Sequence, residues 1–216
     1  MKFAVIGLGS FGFNLAKTLY EKGMEVIAID KSEAKIDSVK ELVTHAVHMD
    51  ASLKENLEAV GVGDVDVVVV SLGDQVEASI LTVLHLHEMG IKRIVAKAIT
   101  EDHAKILDAV GATDIVYPEK DMAIKTALKL STPNVLEFLS LTSGITIQEI
   151  AAPDKFVGKS LKQLNLTNRF GIQVIAVKEI IPDRTTFIPK ADFVIKDSDI
   201  LIIVGEEESL VKINQP

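Results

Sequence analysis

Six residues near the start of the chain, Gly7-Leu8-Gly9-Ser10-Phe11-Gly12, restrict the possible folds more than any other segment. They follow directly on the apolar run Phe3-Ala4-Val5-Ile6 and open a helical pattern that reaches Tyr20. Strand, glycine turn and helix in that order begin a βαβ unit. Gly7 allows the tight turn, Gly9 lets the backbone approach a phosphate, and Gly12 lets the helix pack close to the strand. The free N–H groups of the helix N-terminus then point at an anion. Asp30, with Lys31 beside it, ends the next apolar run, Val26-Ile27-Ala28-Ile29. That is about the spacing of a carboxylate that binds a ribose hydroxyl. The expectation is a cleft for an adenine nucleotide, in which Asp30 disfavours a 2′-phosphate and therefore NADP.

Alternation of strand and helix continues to about Val116. Ala46 to Met49 reads as a third strand ending at Asp50, and Ser52 with Glu55 reads as a capping box for the helix that follows. Val65 to Val70 is a β-branched run broken only by Asp66, the pattern of a strand buried on both faces. It ends at Ser71-Leu72-Gly73-Asp74, before a helix from Gln75 to Met89. Ile94 to Ala96, ending at Lys97, is the fifth strand. Thr100 caps the next helix, and Asp114 to Tyr117 is the sixth strand, closed by Pro118. Six strands with five intervening helices predict a Rossmann-like, doubly wound parallel sheet.

From Glu119 the rhythm changes. Asp121 to Leu130 reads as an amphipathic helix, Ser131-Thr132-Pro133-Asn134 as a break, and Val135 to Leu141 as a second short helical stretch. This is either a dimer clasp and domain crossover or a connecting helix packed on its own domain. Ile145–Ala151, Gln173–Lys178, Thr186–Ile188 and Ile200–Gly205 read as strands, with one short helix near Ser160 to Leu164. The fold class is α/β followed by a small α+β domain. The boundary is expected at 134/135, with residues 1–134 binding nucleotide and residues 135–216 forming the second domain.

Ligands of an open parallel sheet sit at the carboxyl ends of its strands, near the switch in strand order. Those ends are Gly7, Asp30, Asp50 with Ala51, Ser71 with Gly73, Lys97 and Glu119. Asp50 either meets the adenine edge or caps the helix near Ser52. Ser71 and Gly73 fall where a ribose or phosphate would cross. Lys97 either neutralises a phosphate or is a solvated strand-end lysine. Glu119 is open to the plain reading of acidic charge at a helix N-terminus.

Other chemistries are narrowed by what the chain contains. It has no cysteine, so no disulfide, thiol nucleophile or cysteine-ligated metal. A formal charge of −8 argues against nucleic acid, whose binding rests on Lys and Arg neutralising phosphates. No apolar run approaches the ~20 residues of a membrane helix, and the immediate start of a strand leaves no signal peptide. His85 and His87 diverge on one helix, and His45, His48 and His103 read as surface or packing residues. No nucleophile elbow, HExxH or P-loop is present, so binding rather than catalysis is expected. A small NAD-dependent oxidoreductase would be the enzymatic alternative.

The segment Lys2 to Gly12 resembles the start of RCK (KTN) domains, the cytoplasmic regulators of potassium channels and transporters. Val47-His48-Met49-Asp50-Ala51-Ser52, Val95-Ala96-Lys97-Ala98 and the stretch Gly111 to Ala123 resemble that family too. Gly158 to Leu161, Arg169-Phe170-Gly171 and Asp197 to Gly205 are similar to the RCK C-terminal (TrkA-C) domain. The resemblance covers essentially the whole chain and is strongest to the Ktr/Trk regulatory subunits of bacterial potassium uptake. It implies a homodimer, in an octameric ring beneath an integral-membrane potassium transporter, without direct membrane insertion. ATP, ADP or NAD(H) would bind the glycine cleft and alter the dimer hinge. It further implies that Glu119 can join a divalent cation, Mg²⁺ or Ca²⁺, at the dimer axis, and that cyclic di-AMP can bind between C-terminal domains around Leu161 to Arg169. Ktr-type relatives commonly carry arginine where this chain has Ser10, which removes a fixed positive fork for the terminal phosphate. An RCK regulator of a different transporter is the other member of this class.

Overall fold

Val67–Val70 is a run of four valines with no side chain open to solvent, and it explains the N-terminal architecture. Successive strand residues point to opposite faces, so an all-apolar run needs cover on both. In the computed structural model that strand, β4, lies inside a six-stranded sheet with β1 (Lys2–Ile6), β2 (Glu25–Asp30), β3 (His45–His48), β5 (Ile94–Lys97) and β6 (Asp114–Val116). The order is β3-β2-β1-β4-β5-β6, and every pairing is parallel. The intervening helices are α1 (Ser10–Glu21), α2 (Glu33–Val39), α3 (Lys54–Ala59), α4 (Val76–Glu88) and α5 (Glu101–Ala109). Ala4, Ile6, Val68 and Val70 pack into one cluster with Leu86 and Leu107 from α4 and α5. Val5, Val67 and Val69 pack into another with Ala16 and Val39 from α1 and α2. This is a Rossmann-like doubly wound sheet, and its direction of winding switches between β1 and β4.

Residues 1–131, 134–142 and 144–214 are described, and the chain divides into two units between Lys120 and Asp121. The division falls within α6 (Pro118–Ser131). The second unit is a five-stranded antiparallel sheet of order β10-β9-β11-β8-β7. Its strands are β7 (Val135–Thr142), β8 (Ile145–Ala151), β9 (Gln173–Glu179), β10 (Arg184–Phe187) and β11 (Ile200–Glu206). The helices α7 (Leu161–Leu164), α8 (Leu166–Phe170) and α9 (Glu207–Asn214) complete it. Leu164, Leu166 and Leu210 from these helices share one core with Ile150, Val177, Leu201 and Ile203 from the strands.

Three expectations are corrected here. Val135 to Leu141 is strand β7, not helix, and it pairs with β8 from Val135 opposite Ile150 to Thr142 opposite Ile145. Its apolar spacing fits a helical stripe, but a hairpin partner a few residues away supplies cross-strand contacts that a short isolated helix lacks. The capping box at Ser52 is not formed: α3 starts at Lys54 behind Leu53. Ser52 instead gives its N–H and hydroxyl to Asp50 Oδ1, at 2.9 and 2.6 Å, a local turn that competes with the cap. Helices α8 and α9 add to the single short helix expected in this unit. Within the expected break after α6, Thr132 and Pro133 lie outside the described residues.

Candidate nucleotide-binding site

The carboxyl ends of β1, β2, β4 and β5 open onto a cleft of about 360 Å³. Gly7 turns the chain out of β1 at φ +92°, and a Cβ there would lie 2.3 Å from the Ser71 carbonyl oxygen. A Cβ on Gly12 would lie 1.9 Å from the Gly7 oxygen, so α1 can approach the turn only through glycine. Gly9 is different. It is the N-cap residue of α1 at φ −67°, and a Cβ there would meet nothing within 4 Å. Internal packing therefore accounts for two of the three glycines, and the third borders open space at a helix N-terminus. Ser10 and Phe11 continue the lining from the first turn of α1.

Asp30 is buried at the end of β2 and does more than face the cleft. Its Oδ2 accepts the Leu8 N–H at 2.7 Å, and its Oδ1 accepts the Ser32 N–H at 2.8 Å. Lys35 Nζ, from α2, reaches Oδ2 at 3.1 Å. The carboxylate thus ties the glycine turn to the next strand, and a ribose would meet an acceptor already oriented by two backbone donors. Lys31 and Lys35 supply positive charge on this side of the cleft. Asp50, with Ala51 behind it, lines the same wall. Hydrogen bonds from the Ser52 side chain and backbone, with Lys31 nearby, hold the Asp50 carboxyl below the usual carboxylate range against a small opposing effect of burial. Asp50 faces the cleft, but it does not cap the following helix: it bonds Ser52 rather than the first turn of α3.

Ser71 and Gly73 lie across the switch point, with Gly73 at φ +58°. Lys97 is not a solvated strand-end lysine. Its side chain is only 11% exposed, and its ammonium group donates to Glu119 Oε1 in the first turn of α6. That bond holds the Glu119 carboxyl below its ordinary value, although Glu119 itself is largely exposed. A second cavity, of about 490 Å³, continues beyond this pair and shares Asp74, Lys97 and Glu119 with the first. Its far wall includes Thr100 and Tyr117.

All thirteen expected site residues border the first cleft except Gly12, which shapes it from behind. The sequence reading missed Lys35, Asp74 and the Leu8 amide. Asp74 was legible, since it directly follows Gly73 at the end of β4. Lys35 shows no signal beyond a cation one turn into a helix. Glu119 does not fit a divalent cation by itself, because it is a single carboxylate occupied by Lys97, whereas Mg²⁺ and Ca²⁺ take six or more oxygens. Among the described residues no group of three or more His, Asp or Glu side chains could hold a metal ion. The histidines are packing groups where they are buried. His103 is 3% exposed, and burial lowers its pKa.

Two family models match the chain: the TrkA-N domain over residues 3–118 and the TrkA-C domain over residues 145–214. The Ktr system potassium uptake protein C of Bacillus subtilis (strain 168) is 39% identical over 207 residues, 94% of this chain and 91% of that protein. The Ktr system potassium uptake protein A of the same organism is 36% identical, covering 97% and 93% of the two chains. Among solved structures, the GsuK channel bound to NAD superposes with a TM-score of 0.65 at 15% identity. It covers 97% of this chain, which spans only 38% of that longer one. That likeness is one of fold.

Proposed function

This chain belongs to the TrkA-N/TrkA-C family, and from that premise we propose that it is a cytoplasmic, nucleotide-binding regulatory subunit of a potassium uptake system. The observation that carries the reading is Gly9: open space over a helix N-terminus, flanked by Asp30 and Lys97, in a chain 39% identical to a Ktr protein. Residues 1–134 hold the nucleotide, with α6 as the crossover, and residues 135–216 form the TrkA-C domain. The ligand is an adenine nucleotide, ATP, ADP or NAD(H). Asp30 takes the ribose hydroxyls, and the amides after Gly9 take a phosphate. Lys97 exchanges Glu119 for a second phosphate. The continuous second cavity gives a dinucleotide room past the switch point, and the GsuK channel is an NAD-bound protein of the same fold. Ser10 supplies no cation, so discrimination by phosphate number falls to Lys97 and the lysines beside Asp30.

The subunit acts as a homodimer in an octameric ring, peripheral to the membrane through a transporter partner. Among the described residues no helix is long and apolar enough to cross a membrane. Regulation is linkage: a nucleotide shifts the ring only by its differential affinity for two hinge states, typically about 1–3 kcal/mol per coupled site. Several sites in a ring sum to a usable switch. Calorimetric titration of ligand-stripped protein with ATP, ADP, AMP, NAD⁺ and NADH tests this. Micromolar binding of one of them supports it, and absence of binding by all five overturns it. Co-purification with a potassium transporter from host membranes, or with another cation system, decides the client.

A further inference from the structure

In the C-terminal unit, Lys155, Lys159, Arg169 and Lys212 converge on a cavity of about 260 Å³ with no acidic side chain among the described residues that line it. They come from the 3-10 turn Asp154–Phe156 and the loop after it, from α8 and from α9. Three other cations of this unit are in ion pairs: Arg184 and Lys196 share Glu179, and Lys129 reaches Glu137. Lys159, Arg169 and Lys212 are in no ion pair with any described residue. In a chain of charge −8 this gathering is not a by-product of surplus positive charge. Like charges so placed repel one another, and an entering anion relieves that repulsion.

Two details define the ligand. The Arg169 guanidinium lies over the Phe170 ring, 5.1 Å from its centroid, and the forked N–H edge of a guanidinium can grip two oxygens at once. Lys159 Nζ donates to the Lys155 carbonyl oxygen at 2.8 Å, holding one ammonium group at the wall. Behind them the floor is apolar, with Phe156 buried. A cationic rim above such a floor suits a phosphate attached to a ring or a hydrocarbon body.

We propose that this cavity is a second anion site, for a phosphate-bearing ligand, separate from the glycine-turn cleft and complete within one copy of the chain. Three of its four cations lie outside the Leu161 to Arg169 stretch, and no second C-terminal domain is needed. That sets it apart from a cyclic dinucleotide held between two domains.

The test uses the full chain with phenyl phosphate as probe, followed by backbone amide NMR shifts. Millimolar binding is expected, with shifts at Lys159, Arg169 and Lys212. The triple variant Lys159→Gln/Arg169→Gln/Lys212→Gln should weaken it at least tenfold while leaving cleft titrations with ATP or NADH unchanged. Because Arg169→Lys keeps the charge but loses the fork, it should weaken binding several-fold, a check that survives if the triple variant misfolds. Vesicles containing phosphatidic acid, against phosphatidylcholine alone, separate the sources. Vesicle binding that the triple variant loses assigns a lipid headgroup, and phenyl phosphate binding alone assigns a soluble ester. Equal phenyl phosphate affinity in wild type and triple variant, shifts confined to the glycine cleft, or binding of neither probe would overturn the proposal.

Discussion

In the N-terminal unit every strand runs the same way, so the ends of β1, β2, β4 and β5 face one side and their loops gather there without further design. In the C-terminal unit neighbouring strands alternate in direction, so three strands end on one side of the sheet and two on the other. Its cationic cavity is instead bounded by a 3-10 turn, short helices and long side chains. A parallel sheet thus supplies a place for a ligand through backbone topology, fixed by a few glycines and one aspartate. An antiparallel sheet has to build one from side chains. The first kind of site should be intolerant of small backbone changes and the second tolerant of them.

The sharpest way to break that contrast is a matched pair of glycine substitutions. Gly12→Ala drives a methyl group into the Gly7 carbonyl and should destabilise the N-terminal unit by about 3 kcal/mol or more in urea unfolding. Gly171→Ala, at φ +69° with open space around its Cβ position, carries only the left-handed backbone penalty, about 1–2 kcal/mol. Equal losses would mean that the two units do not differ in this way.

Gly9→Ala separates binding from folding within one turn. Its Cβ meets no protein atom, so the thermal midpoint should hold, while nucleotide affinity falls about tenfold or more, roughly 1.4 kcal/mol. Unchanged affinity would show that no ligand approaches this backbone.

Glu119→Gln sharpens the picture at the far end of the cleft. Removing the carboxylate frees Lys97, and ATP affinity should rise by a few-fold without dependence on Mg²⁺ or Ca²⁺. A fall in affinity that appears only with a divalent cation would instead place a metal at Glu119, as the family resemblance implies.

The smallest effect concerns pH. Burial depresses the His103 pKa in the folded state, so its contribution to stability is present above the ordinary imidazole value and is lost as pH falls toward the folded one. Unfolding of the N-terminal unit should become easier across that window, and His103→Gln should flatten the dependence. A slope unchanged in the variant would assign it to other groups.

The same contrast governs what could be read from the sequence. Around the glycine turn, strand, turn, helix and terminal acid are contiguous, and each local pattern agrees with the tertiary outcome. The doubly wound sheet followed from the alternation of strand and helix, and the cleft followed from the strand ends. Even there, one sequence pattern fitted two turns: Ser52 bonds Asp50 rather than capping α3. In the second unit β7 owes its form to β8, a partner invisible to local periodicity. Helix α8 is five residues long, too short to carry a periodic signature. The Lys97–Glu119 pair joins residues 22 apart, and nothing in either segment alone announces it.

The position of β1 between β2 and β4 has a consequence for how the chain is made. Phe3 pairs on one side with Val26 and on the other with Val67. At ribosomal speeds of about 5–20 residues per second, the second neighbour is synthesised roughly 3 to 13 seconds after β1. Throughout that interval the central strand of the sheet is, in effect, an open edge in the nascent chain, and closing it requires a contact between segments far apart in sequence. The glycine turn therefore leaves the ribosome well before the second strand that completes its site.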